Sequence, residues 1–286
     1  MNLPALSPSG QAIRSSPRAA SDAAARRLSV SRLWFPAVLL VVGVYAGLPW
    51  LAPVFMRLGW TAPAQVIYDV YSTQCHQLAQ RSYFLFGSKI MYAPSELEIA
   101  DATAGFSALR AFRGAPRIGW KVAWSDRMTA MYSSLFVFLV AARLLGRRVR
   151  PLPVWAFLLL LLPMAIDGGT HFLSDLSGFG QGFRDTNLWL AGLTGGRLAA
   201  AFYGGDAWGS FNATMRLATG VLFGLGVAWF AVPRIAASVQ AASDVEAAAR
   251  RRTAAREALR ERLDPVYNSS IRGSRPAGAG PHDGRK

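Results

Sequence analysis

Cysteine is almost absent from this 286-residue chain: Cys75 stands alone, so no disulfide can form within it. Charge is scarce as well. Only 16% of the residues are charged against 52% in the hydrophobic set, whereas a soluble domain is about a quarter charged; this apolar surface has to be placed in lipid. Motifs of named reactions are missing too. The sequence has no Gly-rich phosphate loop, no His-Glu-x-x-His, no Gly-x-Ser-x-Gly and no Cys-x-x-Cys-His. The N-terminus does not have the form of a cleaved signal, because about thirty residues precede the first apolar run, far more than a signal-peptide n-region holds. The first span is expected to be a retained anchor.

Acidic residues are the scarcer sign, 16 Asp+Glu against 31 Lys+Arg, giving a net charge of +15. In a soluble protein that excess would suggest nucleic acid, but its distribution argues against it. Residues 1–33 hold five basic side chains and one acidic, 143–150 four and none, and 233–286 eleven and six, so these three segments carry +13 of the +15. That is the pattern of cytoplasmic segments flanking membrane spans. Both termini are expected in the cytoplasm of a multi-pass cell-membrane protein, with the bilayer as partner, anionic headgroups for the basic tails, and no nucleic acid.

The apolar runs predict an all-α polytopic helical bundle with four spans, about 34–56, 128–145, 152–166 and 215–232. The third is short and is expected to continue past Asp167 or to sit beside thinned lipid. Residues 1–33 read as a disordered basic tail, 234–264 as a basic helix opened by a Ser243-x-x-Glu246 capping box and closed at Asp264-Pro265, and 265–286 as a disordered tail. The arginines of 234–264 suit either anionic headgroups or a solvated helix with pairs such as Glu246–Arg250.

One interfacial helix is expected on each extracytoplasmic connection. In the first, Pro63 to Phe86 reads as a helix stopped by Gly87, and Ser88 to Trp124 as a surface loop with a short helix around Glu96–Phe112. In the second, Leu188–Tyr203 carries Gly192, Gly195, Gly196 and Arg197. A crossing there would place the basic C-terminal tail outside, so an interfacial or re-entrant helix is expected. An echo links the two sides of this segment: Asn187 precedes Thr194-Gly195 by seven residues, as Asn212 precedes Thr219-Gly220, which would place two helix starts together.

Chemistry-bearing residues gather near the same ends of the spans. Cys75-His76 offers a thiol and an imidazole, as metal ligands or as a structural pair. Asp167 and His171 are i,i+4, a spacing for a carboxylate orienting an imidazole or for two ligands of one ion; alternatively Asp167 caps loop amides. Asn212, Arg216 and Thr219 share a helix face, with Arg216 pairing an acid or snorkelling, and Gly220 and Gly224 form a small-xxx-small contact. Arg81, Asp126 and Arg127 complete the candidate cluster: Cys75, His76, Arg81, Asp126, Arg127, Asp167, His171, Asn212 and Arg216. The candidate metal ligands are Cys75, His76, Asp167 and His171; a metal ion is compatible with this set and is not required by it.

Cys75-His76-Gln77 with Arg81-Ser82 and Phe84 to Gly87, then Asp167-Gly168-x-Thr170, then Asn212 to Gly220, resembles the bacterial domain-of-unknown-function family 2085, small membrane proteins, over roughly residues 60–233. The resemblance implies a membrane protein but carries no activity with it. Family members bear a Cys-x-Arg-Cys-Thr-Gly block where this chain reads Ser125-Asp126-Arg127-Met128-Thr129-Ala130, and a glutamine where it has His171. If relatives hold a metal through three cysteines and a histidine, this chain has lost two sulfurs. The expectation is a non-enzymatic membrane protein whose polar cluster holds the helices together. The alternative is a metal-binding protein or enzyme using Cys75, His76, Asp167 and His171, and a transporter has less support.

Overall fold

The computed structural model describes residues 17–97, 99, 105–146, 150–178 and 180–273. The chain divides into two compact units, residues 33–236 and, of those described, 17–32 with 237–273. The elements run α1 Pro17–Arg57, α2 Thr61–Ser72, β1 Ser82–Leu85, α3 Gly105–Ala111, β2 Gly114–Ala115, β3 Gly119–Ser125, α4 Asp126–Leu145, α5 Val154–Asp175, α6 Phe183–Thr186, α7 Leu188–Thr194, α8 Ala200–Tyr203 and α9 Phe211–Gly273.

Among the described residues four helical stretches are long and apolar enough to cross a bilayer: Leu33–Arg57, Asp126–Leu145, Val154–Asp175 and Phe211–Arg260. They match the four expected spans. The third extends past Asp167 to Asp175, the first of the two outcomes expected for its short apolar run. Leu40, Val41, Leu158, Leu159 and Ile166 are exposed on these helices, a surface that hydrocarbon can cover and water would not tolerate as one patch.

Small residues let two spans meet. A Cβ on Gly220 would lie 2.7 Å from Ala130 Cβ, and one on Gly224 only 2.6 Å from the Leu135 backbone nitrogen. The small-xxx-small reading of this pair therefore holds, with α4 as the partner of α9.

The first connection is folded differently from the sequence reading. In α2, Ala64, Ile67, Tyr68 and Tyr71 are buried at i, i+3, i+4 and i+7 spacing. The helix then ends at Ser72, not Phe86. Ser72 and Thr73 turn their hydroxyls back to the carbonyls of Asp69 and Val70, and Gln77 at φ 49° takes a left-handed conformation that no α-helix continues through. After a 3₁₀ turn at Ala79–Arg81, β1 pairs antiparallel with β3, which also pairs with β2.

This three-stranded sheet lies where a surface loop was expected, and the short helix there shrinks to Gly105–Ala111. Gly119, at φ 77°, has no room for a side chain, since a Cβ would fall 2.1 Å from Leu85 O. Trp124 of β3 is fully buried. Its ring meets Tyr45 of α1 and Tyr71 of α2 edge-on at 5.0 Å and stacks on Tyr132 of α4 at 4.7 Å, which fixes the sheet to two spans.

Leu188–Tyr203 resolves into the short helices α7 and α8, neither long enough to cross a bilayer. In the terminal unit the structure again departs from expectation. Helix begins at Pro17 instead of near Leu33, and 237–273 is helical without a new start at Ser243, whose hydroxyl donates to Gln240 O as an interior helical serine does. Nor does Pro233 interrupt α9. Arg234 beside it donates to Phe230 O and to Leu152 O. The Glu246–Arg250 pair is present at 3.0 Å. The expected disorder of 1–16 and 274–286 falls outside the described residues.

The α4–α9 contact predicts a contrast between two glycines. Gly224→Ala should lose about 1–3 kcal/mol of stability, the usual cost of overpacking, while Gly47→Ala, which meets nothing within 4 Å, should lose none. Thermal unfolding of the detergent-solubilised protein reads the difference.

Candidate functional site

The Cys-His-Gln turn is built as a hinge between α2 and the sheet. Gln77 is fully buried and uses its whole side chain: Nε2 donates to Tyr68 O and Ala123 O, and Oε1 accepts from Arg113. Its carbonyl accepts from the Lys121 ammonium at 2.6 Å, which also donates to Arg110 O at 2.8 Å. Burial, and next the Arg113 guanidinium, push the Lys121 amine well below its usual range. Cys75 Sγ accepts long contacts of 3.4 Å from the amides of Gln77 and Ser125, so the thiol ties this turn to the end of β3. His76 is turned outward.

Beyond this turn the ends of the spans are joined by charge. Arg81 binds Asp175 through both terminal nitrogens, at 2.7 and 2.8 Å, and Asp206 through Nε at 2.7 Å. Arg216 takes the other oxygen of Asp206 at 2.6 Å and grips Asp126 through Nε. On the neighbouring side Asp167 accepts from Arg127 at 2.7 Å and from Arg184 at 2.6 Å. Arg184 also donates to Asn212, Thr170 and His171. The Arg127 amide donates to Asp126 Oδ1 and joins the two halves.

Four arginines and four aspartates thus form one charge-balanced network that joins the start of α4, the end of α5, the start of α9 and the segments between them. Burial alone would raise the Asp206 carboxyl, but Arg216 and Arg81 outweigh it and hold it below the usual carboxylate range.

A cavity of about 270 Å³ opens against this network. Cys75, His76, Arg81, Asp126, Arg127, His171 and Arg216 line it, together with Asp175. Protein packed about the His76 ring, and next the Arg81 charge, push its imidazole down to about 4. The ring is exposed and is a neutral imidazole at physiological pH.

All nine residues of the candidate cluster therefore lie in this network or on this cavity. Arg216 pairs with acids and does not snorkel, and Asp167 takes two arginines and does not cap loop amides. Asn187 and Asn212 do meet, at 3.3 Å, and both donate to Arg184 O.

Sequence reading missed Asp175, Arg184 and Asp206. The available signal was the excess of acidic over basic residues across 167–211, which pointed to topology but equally supplied the counter-charges for arginines elsewhere.

The four candidate metal ligands do not gather into one group. Among the described residues no three of His, Cys, Asp and Glu come together as a group that could hold a metal ion. Asp167 has both oxygens on guanidiniums, and His171 Nε2 faces Arg184 at 3.1 Å. Ser125 and Met128, at the two positions where the resembling family carries cysteine, also line the cavity. They supply no thiolate, so a three-sulfur site does not fit this chain.

Removing one shared acid exposes the network's role. Asp206→Asn strips the counter-charge from two buried arginines and should cost on the order of 3–5 kcal/mol. Lys89→Ala, which opens the exposed pair with Glu96, should cost less than about 1 kcal/mol. Because the Asp206 carboxyl is held low, its contribution should be complete above the ordinary carboxylate pKa of about 4 and fade as pH falls below it. Equilibrium unfolding of both variants against pH checks this.

Comparison with known proteins fits an integral membrane protein. An uncharacterized protein of Methanocaldococcus jannaschii is 25% identical over 152 residues, covering 50% of this chain and 76% of the relative. No solved structure matches the chain. The matched family region leaves the Cys75-His76-Gln77 turn outside it but holds α4, α5 and the first part of α9. Over residues 117–230 the chain matches the family described as predicted membrane protein, domain-of-unknown-function family 2085, and with its four apolar helices it is an integral membrane protein.

Proposed function

We propose that this is a non-catalytic protein of the cell membrane, with both termini in the cytoplasm. In this reading the charged network lies at the extracytoplasmic ends of the spans, where it clamps the bundle and presents the Cys75–His76 cavity outward as a binding site. The observation that carries the reading is the closure of four arginines onto four aspartates around one cavity. With each aspartate held by arginine, none is left as a free general base, and Cys75 Sγ sits between two amides with no imidazole bonded to it; both features favour binding over catalysis.

The orientation is supported by the three basic segments that carry +13 of the +15 charge. The arginines of the C-terminal helix would lie against anionic headgroups on the cytoplasmic side. An enzyme or metal protein using Cys75, His76, Asp167 and His171 has less support, because Asp167 and His171 are engaged by arginine.

Single cysteines tested with an impermeant thiol reagent on intact cells examine the orientation. In a Cys75→Ser background, Gly10→Cys, Arg148→Cys and Ser270→Cys should be protected and Lys89→Cys labelled. Labelling of Arg148→Cys from outside would overturn it.

A further inference from the structure

The cavity wall contains two buried hydrogen-bond donors that none of the described residues satisfies. An arginine side chain only donates, so the 3.1 Å contact from Arg184 Nη2 makes His171 Nε2 the acceptor. In the neutral ring the proton is then on Nδ1. That nitrogen is buried and has no partner among the described residues, and neither has Arg127 Nε. His171 is 4% exposed, so bulk water does not reach it freely. A buried N–H without an acceptor costs about 1–3 kcal/mol, and two such donors on residues lining one cavity indicate an acceptor between them.

The described carboxylates offer none. Asp167 is occupied by Arg127 and Arg184, Asp126 by Arg216 and the Arg127 amide, and Asp175 by Arg81. The surroundings favour negative charge. Arg81, Arg127 and Arg216 line the cavity against the carboxylates of Asp126 and Asp175, and the 20-residue α4 directs its N-terminal end there through Ser125, Asp126 and Arg127. Gly168 keeps the place open on the other side: a Cβ there would come within 2.9 Å of Arg127 Nη1.

Resting on the reading of this cavity as the binding site, we infer that it takes a small monovalent anion, which accepts hydrogen bonds from Arg127 Nε–H and His171 Nδ1–H. A single negative charge suits the wall, where the full network is already balanced and a multiply charged anion would meet the aspartates. The volume of about 270 Å³ admits a small carboxylate or halide with some water.

The test uses the full chain in detergent, titrated with sodium acetate, sodium chloride or sodium sulfate at constant ionic strength, with unfolding temperature and calorimetric binding as readouts. Acetate or chloride should bind saturably and raise the unfolding temperature, and sulfate should bind at least tenfold more weakly. Arg127→Lys, which keeps the charge but loses the Nε–H, and His171→Leu should each weaken binding at least tenfold, while the exposed Lys89→Ala leaves it unchanged. If the wild-type protein shows no saturable binding of any of the three salts, the cavity holds water only and the inference fails, whether or not the variants fold. Equal affinity in wild type, Arg127→Lys and His171→Leu overturns it as well. Neither result bears on membrane orientation, which the labelling experiment reads separately.

Discussion

Asp206 lies between two arginines that reach it from distant parts of the chain, Arg81 just before β1 and Arg216 one and a half turns into α9. A carboxylate buried to this degree is tolerable only with its counter-charges in place, and each of those arginines is itself buried and needs a second acid. Arg81 finds Asp175 at the end of α5, and Arg216 finds Asp126 at the start of α4. The requirement that no buried charge stay unpaired therefore propagates from one acid to three spans. Asp167, Arg127 and Arg184 repeat the same logic beside it. Packing between α4 and α9 at Gly220 and Gly224 is set further along the same helices, so close approach and charge pairing act on the same pair of spans.

The spans were legible because lipid imposes a length and composition that few other environments do. Met128 to Leu145 is recognisable without any partner. The network was legible in part for a related reason. Arg216 on a helix face with Asn212 and Thr219, and Asp167 near the end of an apolar run, are costly alone, so their need for company can be read locally. The identity of that company cannot. Asp206 and Arg184 sit in short polar connections where charged residues are ordinary, and only the fold shows that they are buried.

The sheet was illegible for a different reason. Ser82–Leu85 and Gly119–Ser125 are too short for alternation to show, and what makes them strands is their pairing with each other across more than thirty residues. Lys121 would ordinarily mark a solvated position, yet its ammonium is turned inward to two carbonyls. The helix expected through Phe86 ends at Ser72 and does not resume through Gln77, whose backbone takes the left-handed turn while its buried side-chain amide donates to Tyr68 O and Ala123 O. In both places, long-range hydrogen bonds to buried polar groups overrode local propensity.

The central claim is that the arginines and aspartates act as one coupled unit and not as separate surface pairs. A double-mutant cycle on Asp126 and Arg216 tests it most directly, with Asp126→Leu, Arg216→Met and the double variant compared by equilibrium unfolding of the full chain in detergent. Asp126→Leu leaves Arg216 with Asp206 as its one remaining acid, and Arg216→Met leaves Asp126 with no guanidinium, so the account predicts that the double variant loses less than the sum of the two singles, with a coupling energy on the order of 1–3 kcal/mol. Single-variant losses that simply add in the double variant would contradict it.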